Sequence, residues 1–325
     1  MATNRHRRIA LTLSAAALVG GSLGGLQVAG AGAATASTTP TTTATTAAGS
    51  WSSFSSARDA AAKAAAAAAA AKAAATPVTT TVTSAVNTAV SPSGVPVPKG
   101  NLPGWRQVYA EDFSLVNRTG TFPSGGYAKH WGVYNDGWKD TSKNGTYMPS
   151  KVLSTHNGVL DYSIRTENGQ HLVAAPWLTE TKGRTYGRYS IRFRADNLPG
   201  YKTAWLLWPD SERWPTDGEI DFPEGNLGSA DTIHAFHHFA SSRGGQAAFP
   251  TRATFKGWHT VTVEWVPGKV TFVLDGKVIG SSTTMVPATA MHWVLQTETN
   301  LDGYAPSSAV RGHVLVDWVA FWARA

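Results

Sequence analysis

The segment Asp217-Gly218-Glu219-Ile220-Asp221-Phe222-Pro223-Glu224-Gly225 is the most informative part of this chain. Side chains alternate between the two faces of a β-strand, so Glu219 and Asp221 share a face, whereas an unbroken strand would turn Glu224 to the other. A β-bulge with one extra residue between Asp221 and Glu224 would restore the phase. Pro223 suits such a bulge because it has no N–H to donate to a neighbouring strand. The spacing therefore predicts three carboxyl groups on one surface.

Carboxyl groups held this close cannot all stay ionised at neutral pH, which is the condition that acid/base chemistry with paired carboxylates exploits. The alternative is an acidic strand that simply faces solvent. Against it, Trp205, Trp208, Trp214 and Phe222 flank the acids, and solvated acidic faces are rarely so rich in aromatic side chains. The segment is therefore interpreted as functional.

The run from Glu219 to Glu224, preceded by Trp214-Pro215 and Gly218, closely resembles the E-x-D-x-x-E signature of glycoside hydrolase family 16, the laminarinase and β-glucanase family. Further similar segments are Trp105, Glu111-Asp112-Phe113, Tyr186 to Tyr189, Trp205 to Leu207, His234 to Phe239 and Val316 to Val319. The resemblance covers residues 101–325. It implies a β-jelly-roll sandwich of the concanavalin A-like lectin and glucanase type that hydrolyses β-linked polysaccharides with retention.

Period-two patterns independently favour an all-β fold after residue 100. Tyr189, Ile191 and Phe193 alternate with polar residues, as do Val261, Val263 and Trp265. Asp275-Gly276 is a hairpin signal, and no long helical periodicity occurs. Many short strands separated by Gly and Pro turns predict a sandwich of two antiparallel sheets.

The first hundred residues differ in composition from the rest of the 325-residue chain. Arginines precede an apolar stretch at 9–19 and small residues follow, which predicts a signal peptide over residues 1–36. Residues 37–100 are rich in Ser, Thr, Ala and Pro, which predicts a disordered linker with an Ala-rich helical stretch at 59–75. The catalytic domain is expected over 101–325.

Charge and cysteine content limit the classes of partner that we expect and the ways in which the fold can be stabilised. The net charge is +7, but residues 1–100 hold seven Lys and Arg against one acid, leaving 21 basic and 20 acidic side chains in the domain. A nucleic-acid partner is therefore not expected. The chain has no cysteine, so an exported fold would depend on its core alone. We expect a secreted or cell-wall-associated monomer without a permanent membrane anchor, because the apolar stretch is too short to span a bilayer.

By the resemblance, Glu219 is the nucleophile and Glu224 the acid/base. Asp221 lies between them, where it can share a proton with Glu219 and hold its orientation. A simpler role for Asp221 is hydrogen bonding at the bulge. Neighbouring positions on one strand face can supply the short carboxyl separation that a retaining mechanism requires.

Three histidines, His234, His237 and His238, raise the possibility of a metal site. Strand alternation separates His237 from the other two, and no His-Glu-x-x-His helix occurs, which disfavours catalytic zinc. His238 matches the histidine that follows the catalytic strand in the family. It is expected on the cleft floor, bonded to a carboxylate or a sugar hydroxyl; the alternative is a buried histidine bonded to the backbone.

Sugar binding calls for aromatic rings that stack on pyranose faces. Trp205 and Trp214 match family positions near the cleaved bond. Trp138 and Tyr147 lie in a polar, Gly-rich loop over residues 136–150 that we expect to wall the cleft.

After Met291 the sequence departs from the family pattern. Gln296 stands in the strand where many members have a sugar-binding asparagine. This change affects the choice of substrate more than the mechanism.

No cofactor is expected to be required. The resemblance admits a structural calcium on the convex face, with Asp317 and Glu111 as candidate ligands, although backbone carbonyls would have to complete its shell.

The leading hypothesis is a secreted, retaining endo-glycoside hydrolase that acts on β-1,3- or mixed β-1,3/1,4-glucan or a related β-linked polysaccharide. A cell-wall transglycosylase would share every catalytic residue. A non-catalytic carbohydrate-binding protein would need aromatic platforms but no paired acids.

Overall fold

The computed structural model describes residues 91–325, which form seventeen β-strands, one short α-helix, α1 (Pro149–Val152), and two single-turn 3-10 helices, Gly125–Tyr127 and Thr179–Thr181. The strands are β1 (Trp105–Glu111), β2 (Trp131–Val133), β3 (Gly145–Tyr147), β4 (Leu153–His156), β5 (Val159–Glu167), β6 (Gln170–Val173), β7 (Pro176–Leu178), β8 (Gly187–Ala195), β9 (Leu198–Pro209), β10 (Glu219–Leu227), β11 (Thr232–His238), β12 (Gln246–Thr254), β13 (His259–Val266), β14 (Lys269–Leu274), β15 (Lys277–Ser282), β16 (Met291–Thr299) and β17 (Gly312–Arg324). The expected signal peptide, and the expected linker up to residue 90, lie outside the described residues.

The strands form two sheets. One has seven strands in the order β12-β11-β10-β9-β16-β7-β2, and the other has ten, with β15-β14-β13-β8-β17-β5-β6-β3 as its main path and β1 and β4 pairing with β17 and β5. The named strand pairs in the described part of the chain are antiparallel except β3 with β6. The predicted all-β sandwich is confirmed. Strand β10, which carries the acidic segment, lies inside the seven-stranded sheet between β9 and β11.

Large aromatic side chains fill the space between the sheets. Trp205 is fully buried with its ring 5.1 Å from Phe193 and 6.5 Å from Tyr162, so it bridges the two sheets. Trp265 is also fully buried, and its indole N–H donates to the Pro287 carbonyl at 2.9 Å. Alternate residues of each strand thus supply one continuous apolar interior.

The predicted hairpin at Asp275-Gly276 joins β14 to β15. Both turn residues have positive φ, 49° and 79°, which is the backbone that a two-residue turn of this twist requires. Within the described residues, no helix is both long and apolar enough to span a bilayer.

Packing begins before the boundary expected at residue 101. The indole N–H of Trp318 donates to the Val95 carbonyl and that of Trp322 to the Gly100 carbonyl, both at 2.9 Å. Ser91 Oγ donates to Asp317 at 2.7 Å. Residues 91–100, the N-terminal segment, therefore lie against the outer face of β17 although their composition resembles that of a linker.

A bulge at Asp317 explains why β17 has a covered outer face. Val316 pairs with Phe193 and Trp318 with Arg192, so β17 advances by two residues where β8 advances by one. The extra residue shifts the alternation, which leaves Val316 and Val319 inside and places Trp318 under the N-terminal segment.

Candidate active site

The acidic segment contains the bulge that its spacing predicts. On the partner strand β11, the residues opposite Glu219, Asp221 and Glu224 are His238, Phe236 and His234, which are two apart each time. Between these last two pairs, β10 advances by three residues, from Asp221 to Glu224, whereas β11 advances by two. One extra residue returns Glu224 to the face of Glu219 and Asp221, and all three side chains are less than a tenth exposed.

His238 contacts the middle carboxyl. Its Nε2 lies 3.2 Å from Asp221 Oδ2, and both residues are buried. One ligand-type atom from each of Glu219, Asp221 and His238 lies within 4.8 Å of the others. This contact agrees with the expectation that His238 bonds to a carboxylate, and its place on the floor of a cleft stays a prediction.

Burial and crowding change the protonation of this group. Burial, with the nearby charge of Glu219, raises the pKa of Asp221 well above its usual range. Burial alone would lower the pKa of His238, but the contact with Asp221 and the charge of Glu219 raise it to about 9. Both shifts favour proton retention by the Asp221–His238 pair beside Glu219.

The same three groups are close enough to hold a metal ion. A metal requires a neutral imidazole and ionised carboxylates. Since His238 has a pKa of about 9 and that of Asp221 is also raised, a metal would have to displace protons that this site retains. The arrangement suits proton sharing better than metal binding.

A buried lysine contacts the third carboxylate. Lys202 on β9 places its Nζ 2.7 Å from Glu224 Oε1 and 3.8 Å from Glu298 Oε1 on β16. Lys202 and Glu298 are 4% and 1% exposed. Burial alone would lower the pKa of Lys202, but the two carboxylates raise it above the usual value, so it stays charged.

Gln296 lies on the same sheet face as Glu224. It pairs with Ala204, and Ala204 pairs with Glu224, so the three residues stand in one row across β16, β9 and β10. Trp214 is half-buried with its ring 6.3 Å from that of His238. Its indole N–H is buried and has no hydrogen-bond partner among residues 91–325, and its role in sugar binding stays a prediction.

Trp205 and Tyr147 are wrong as sugar platforms. The row through Gln296 and Glu224 contains Ala204, so Trp205, one residue later, faces the core. Tyr147 is 3% exposed and packs edge-on against Tyr134 at 5.3 Å. Neither ring can offer a face to a pyranose.

Trp138 is half-buried and packs on Tyr134 with ring centres 5.9 Å apart, and its role as a sugar platform stays a prediction. The loop that carries Trp138 is hydrogen-bonded to residues at the end of β16. Thr299 donates to Asp140 through its N–H at 2.8 Å, and Thr141 N–H donates to Glu298 at 3.2 Å. The loop over residues 136–150 thus borders the Lys202–Glu298 end of the acidic face.

His237 faces the interior, as the alternation predicted. It is fully buried beside Phe239, and burial lowers its pKa to about 4. Its two ring nitrogens have no hydrogen-bond partner among the described residues.

The candidate calcium ligands have protein partners. Asp317 accepts hydrogen bonds from Ser91 and Ser93, and Glu111 accepts them from the Tyr109 hydroxyl and the Phe113 N–H, both at 2.9 Å. These contacts use Oδ2 of Asp317 and both carboxylate oxygens of Glu111. Calcium at this place stays a prediction.

Sequence reasoning missed Lys202 and Glu298. Each lies two residues from a member of the row, Lys202 before Ala204 and Glu298 after Gln296. Extending the strand alternation by one step on each strand would have placed both on the acidic face. Their mutual contact depends on the pairing of β9 with β16, which the alternation does not reveal.

Comparisons with known proteins match this chain to one enzyme family. The model of the family "Glycosyl hydrolases family 16" matches residues 139–319, more than half of the chain. A β-glucanase of Paenibacillus macerans is 23% identical over 184 residues, which cover 56% of this chain and 72% of that protein.

Solved structures share the fold. The catalytic domain of an endo-1,3-β-glucanase (laminarinase) from Thermotoga petrophila RKU-1 aligns with a TM-score of 0.55 at 16% identity, covering 68% of this chain and 98% of that one. SCLam, a non-specific endo-β-1,3(4)-glucanase, aligns with a TM-score of 0.58 at 19% identity, covering 70% of this chain and 98% of its own.

Proposed function

The chain belongs to glycosyl hydrolase family 16, and we propose that it is an exported, retaining endo-glycoside hydrolase that cleaves β-1,3- or mixed β-1,3/1,4-glucan. The observation that carries this proposal is the extra residue in β10, which brings Glu219, Asp221 and Glu224 to one buried face. The names of the similar glucanases support the substrate class. The arginines and apolar stretch at the start of the sequence support export.

In the first step, a Glu219 carboxylate oxygen attacks the anomeric carbon while the bond from that carbon to the glycosidic oxygen breaks. Glu224 gives its proton to the departing oxygen. Asp221, whose raised pKa favours a shared proton next to Glu219, orients the nucleophile, and His238 contacts the same pair.

In the second step, Glu224 takes a proton from water, and the oxygen of that water attacks the anomeric carbon. The ester bond to Glu219 breaks, and the carboxylate is restored. The sugar leaves with the configuration that it had in the polysaccharide. Gln296, which lies in the same row as Glu224, can donate a hydrogen bond to a sugar hydroxyl. Trp214 packs near His238, with ring centres 6.3 Å apart.

A panel of purified polysaccharides tests the proposal. We expect reducing ends to appear from β-1,3- or mixed β-1,3/1,4-glucan, with short oligosaccharides of several lengths. Products longer than an added oligosaccharide acceptor would instead indicate transglycosylation. Retention on an insoluble glucan without any cleavage would refute the enzyme assignment and leave a binding protein.

A further inference from the structure

Lys202 is a buried cation beside the residue that the proposed function makes the acid/base. Its ammonium contacts Glu224 at 2.7 Å and lies 3.8 Å from Glu298. A charge taken out of water persists only when it is paired. Both carboxylates are themselves almost fully buried, so the three residues form one closed charge group, the Lys202 group.

This placement conflicts with a simple acid/base role. Glu224 must carry a proton when the glycosidic bond breaks, and must be ionised when it activates water. A cation at 2.7 Å favours the ionised carboxylate, which is the wrong form for the first step. The conflict disappears if the cation has a second partner for the period in which Glu224 is protonated.

Glu298 is placed to be that second partner. Its Oε1 lies 3.8 Å from Lys202 Nζ, and its Oε2 accepts a hydrogen bond from the Thr141 N–H at 3.2 Å. The backbone contact holds the carboxylate still. A small rotation of the flexible lysine side chain is therefore enough to exchange partners.

We propose that Lys202 is a positioning residue for Glu224, and that its ammonium moves to Glu298 when Glu224 takes up a proton and returns when Glu224 gives that proton to the glycosidic oxygen. The inference rests on the proposed function. Lys202 keeps its three protons throughout, and the proton that Glu224 uses is replaced by one from the attacking water. The alkaline limit of activity is thus set by the competition of Glu224 and Glu298 for Lys202.

Other charges also face Glu224. Glu219 and Asp221 lie on its own strand, and His234 and His238 lie on β11. These groups are the same in every variant below. A shift between variants therefore reports the Lys202 group alone.

The test uses full-length protein with Lys202→Met, Lys202→Arg and Glu298→Gln, and records kcat/KM against pH on the glucan that wild type cleaves. Removing the cation should move the alkaline limb up by about one to two pH units. Lys202→Arg keeps the charge and should stay near wild type. Glu298→Gln commits Lys202 to Glu224 and should move the limb down.

Lys202→Met and Glu298→Gln should shift the alkaline limb in opposite directions, which general damage to the fold would not do. Unshifted limbs in folded Lys202→Met and Glu298→Gln would overturn the inference and leave the proposed function standing. If Lys202→Met does not fold, Glu298→Gln still decides, because a limb that stays or rises contradicts the competition.

Carbon-13 NMR titration of the Glu224 carboxyl makes the outcome independent of turnover. If the wild type cleaves no polysaccharide but the Glu224 titration moves up in Lys202→Met, the proposed function is refuted and the coupling of Lys202 to Glu224 is retained. A titration that does not move would refute the coupling itself.

Discussion

Strands β10 and β17 each contain an inserted residue next to a carboxylate, and the two bulges handle charge in opposite ways. The β10 bulge gathers Glu219, Asp221 and Glu224 on one face, where burial and mutual repulsion raise the pKa of the middle carboxyl. The β17 bulge isolates Asp317, whose side chain accepts hydrogen bonds from Ser91 and Ser93.

The difference shows that the same backbone device serves chemistry or stability according to what surrounds the acid. A single carboxylate among hydroxyl donors is satisfied and anchors the segment that supplies them. Crowded carboxylates must share protons and recruit cations, as His238 and Lys202 show. Changing the acids in the two bulges should therefore affect different properties of the protein.

The largest effect is expected at the β10 bulge. Glu219→Gln should lower turnover by about 10³-fold or more, because an amide cannot form the glycosyl ester. Reducing-end release measures the loss, and circular dichroism should show an intact fold. Undiminished activity would remove Glu219 from the mechanism.

Removal of the N-terminal segment tests the β17 bulge. Deleting residues 37–98 should lower the free energy of unfolding by about 2 to 4 kcal/mol, because Asp317 and Trp318 lose their partners. Deleting only residues 37–90 is the matched control and should leave the urea midpoint unchanged. Equal midpoints for the two truncations would show that the segment contributes nothing to stability.

The raised pKa of His238 predicts a pH dependence. Its value in the fold, about 9, exceeds the ordinary 6.5, so protonation stabilises the fold fully below pH 6.5, and this contribution is lost as the pH rises toward 9. Urea unfolding should show that His238→Gln costs about 3 kcal/mol more at pH 6 than at pH 10.

The matched control for this pH dependence is His234→Gln. Burial lowers the pKa of His234 below the ordinary value, so this side chain gains no stabilisation from protonation as the pH falls from 9 to 6.5. The variant should show no loss between pH 6.5 and 9. A pH-independent cost of His238→Gln would contradict the protonated state assigned to His238.

The smallest effect is expected from Asp317→Asn. The amide oxygen still accepts hydrogen bonds from Ser91 and Ser93, so the loss should be about 1 kcal/mol of stability with turnover unchanged. Thermal unfolding and reducing-end release measure both quantities. A strong loss of activity would erase the functional contrast between the two bulges.

The sequence predicted the β10 bulge because a carboxylate spacing and Pro223 report the same local geometry. It failed at Trp205 because the face that a strand residue occupies depends on register with its neighbours. Ala204 lies on the face of Glu224, whereas Trp205, the next residue, lies in the core. The domain start was placed late for a related reason. Residues 91–100 resemble a linker in composition, and their partners lie at the far end of the chain on β17.

Proton NMR of the first products, recorded before mutarotation, tests the central claim most directly. If the β10 bulge presents Glu219 and Glu224 together for direct attack, a β-glucan must release the β-anomer first. Initial accumulation of the α-anomer would mean inversion, and would contradict both the nucleophile assignment of Glu219 and the catalytic reading of the bulge.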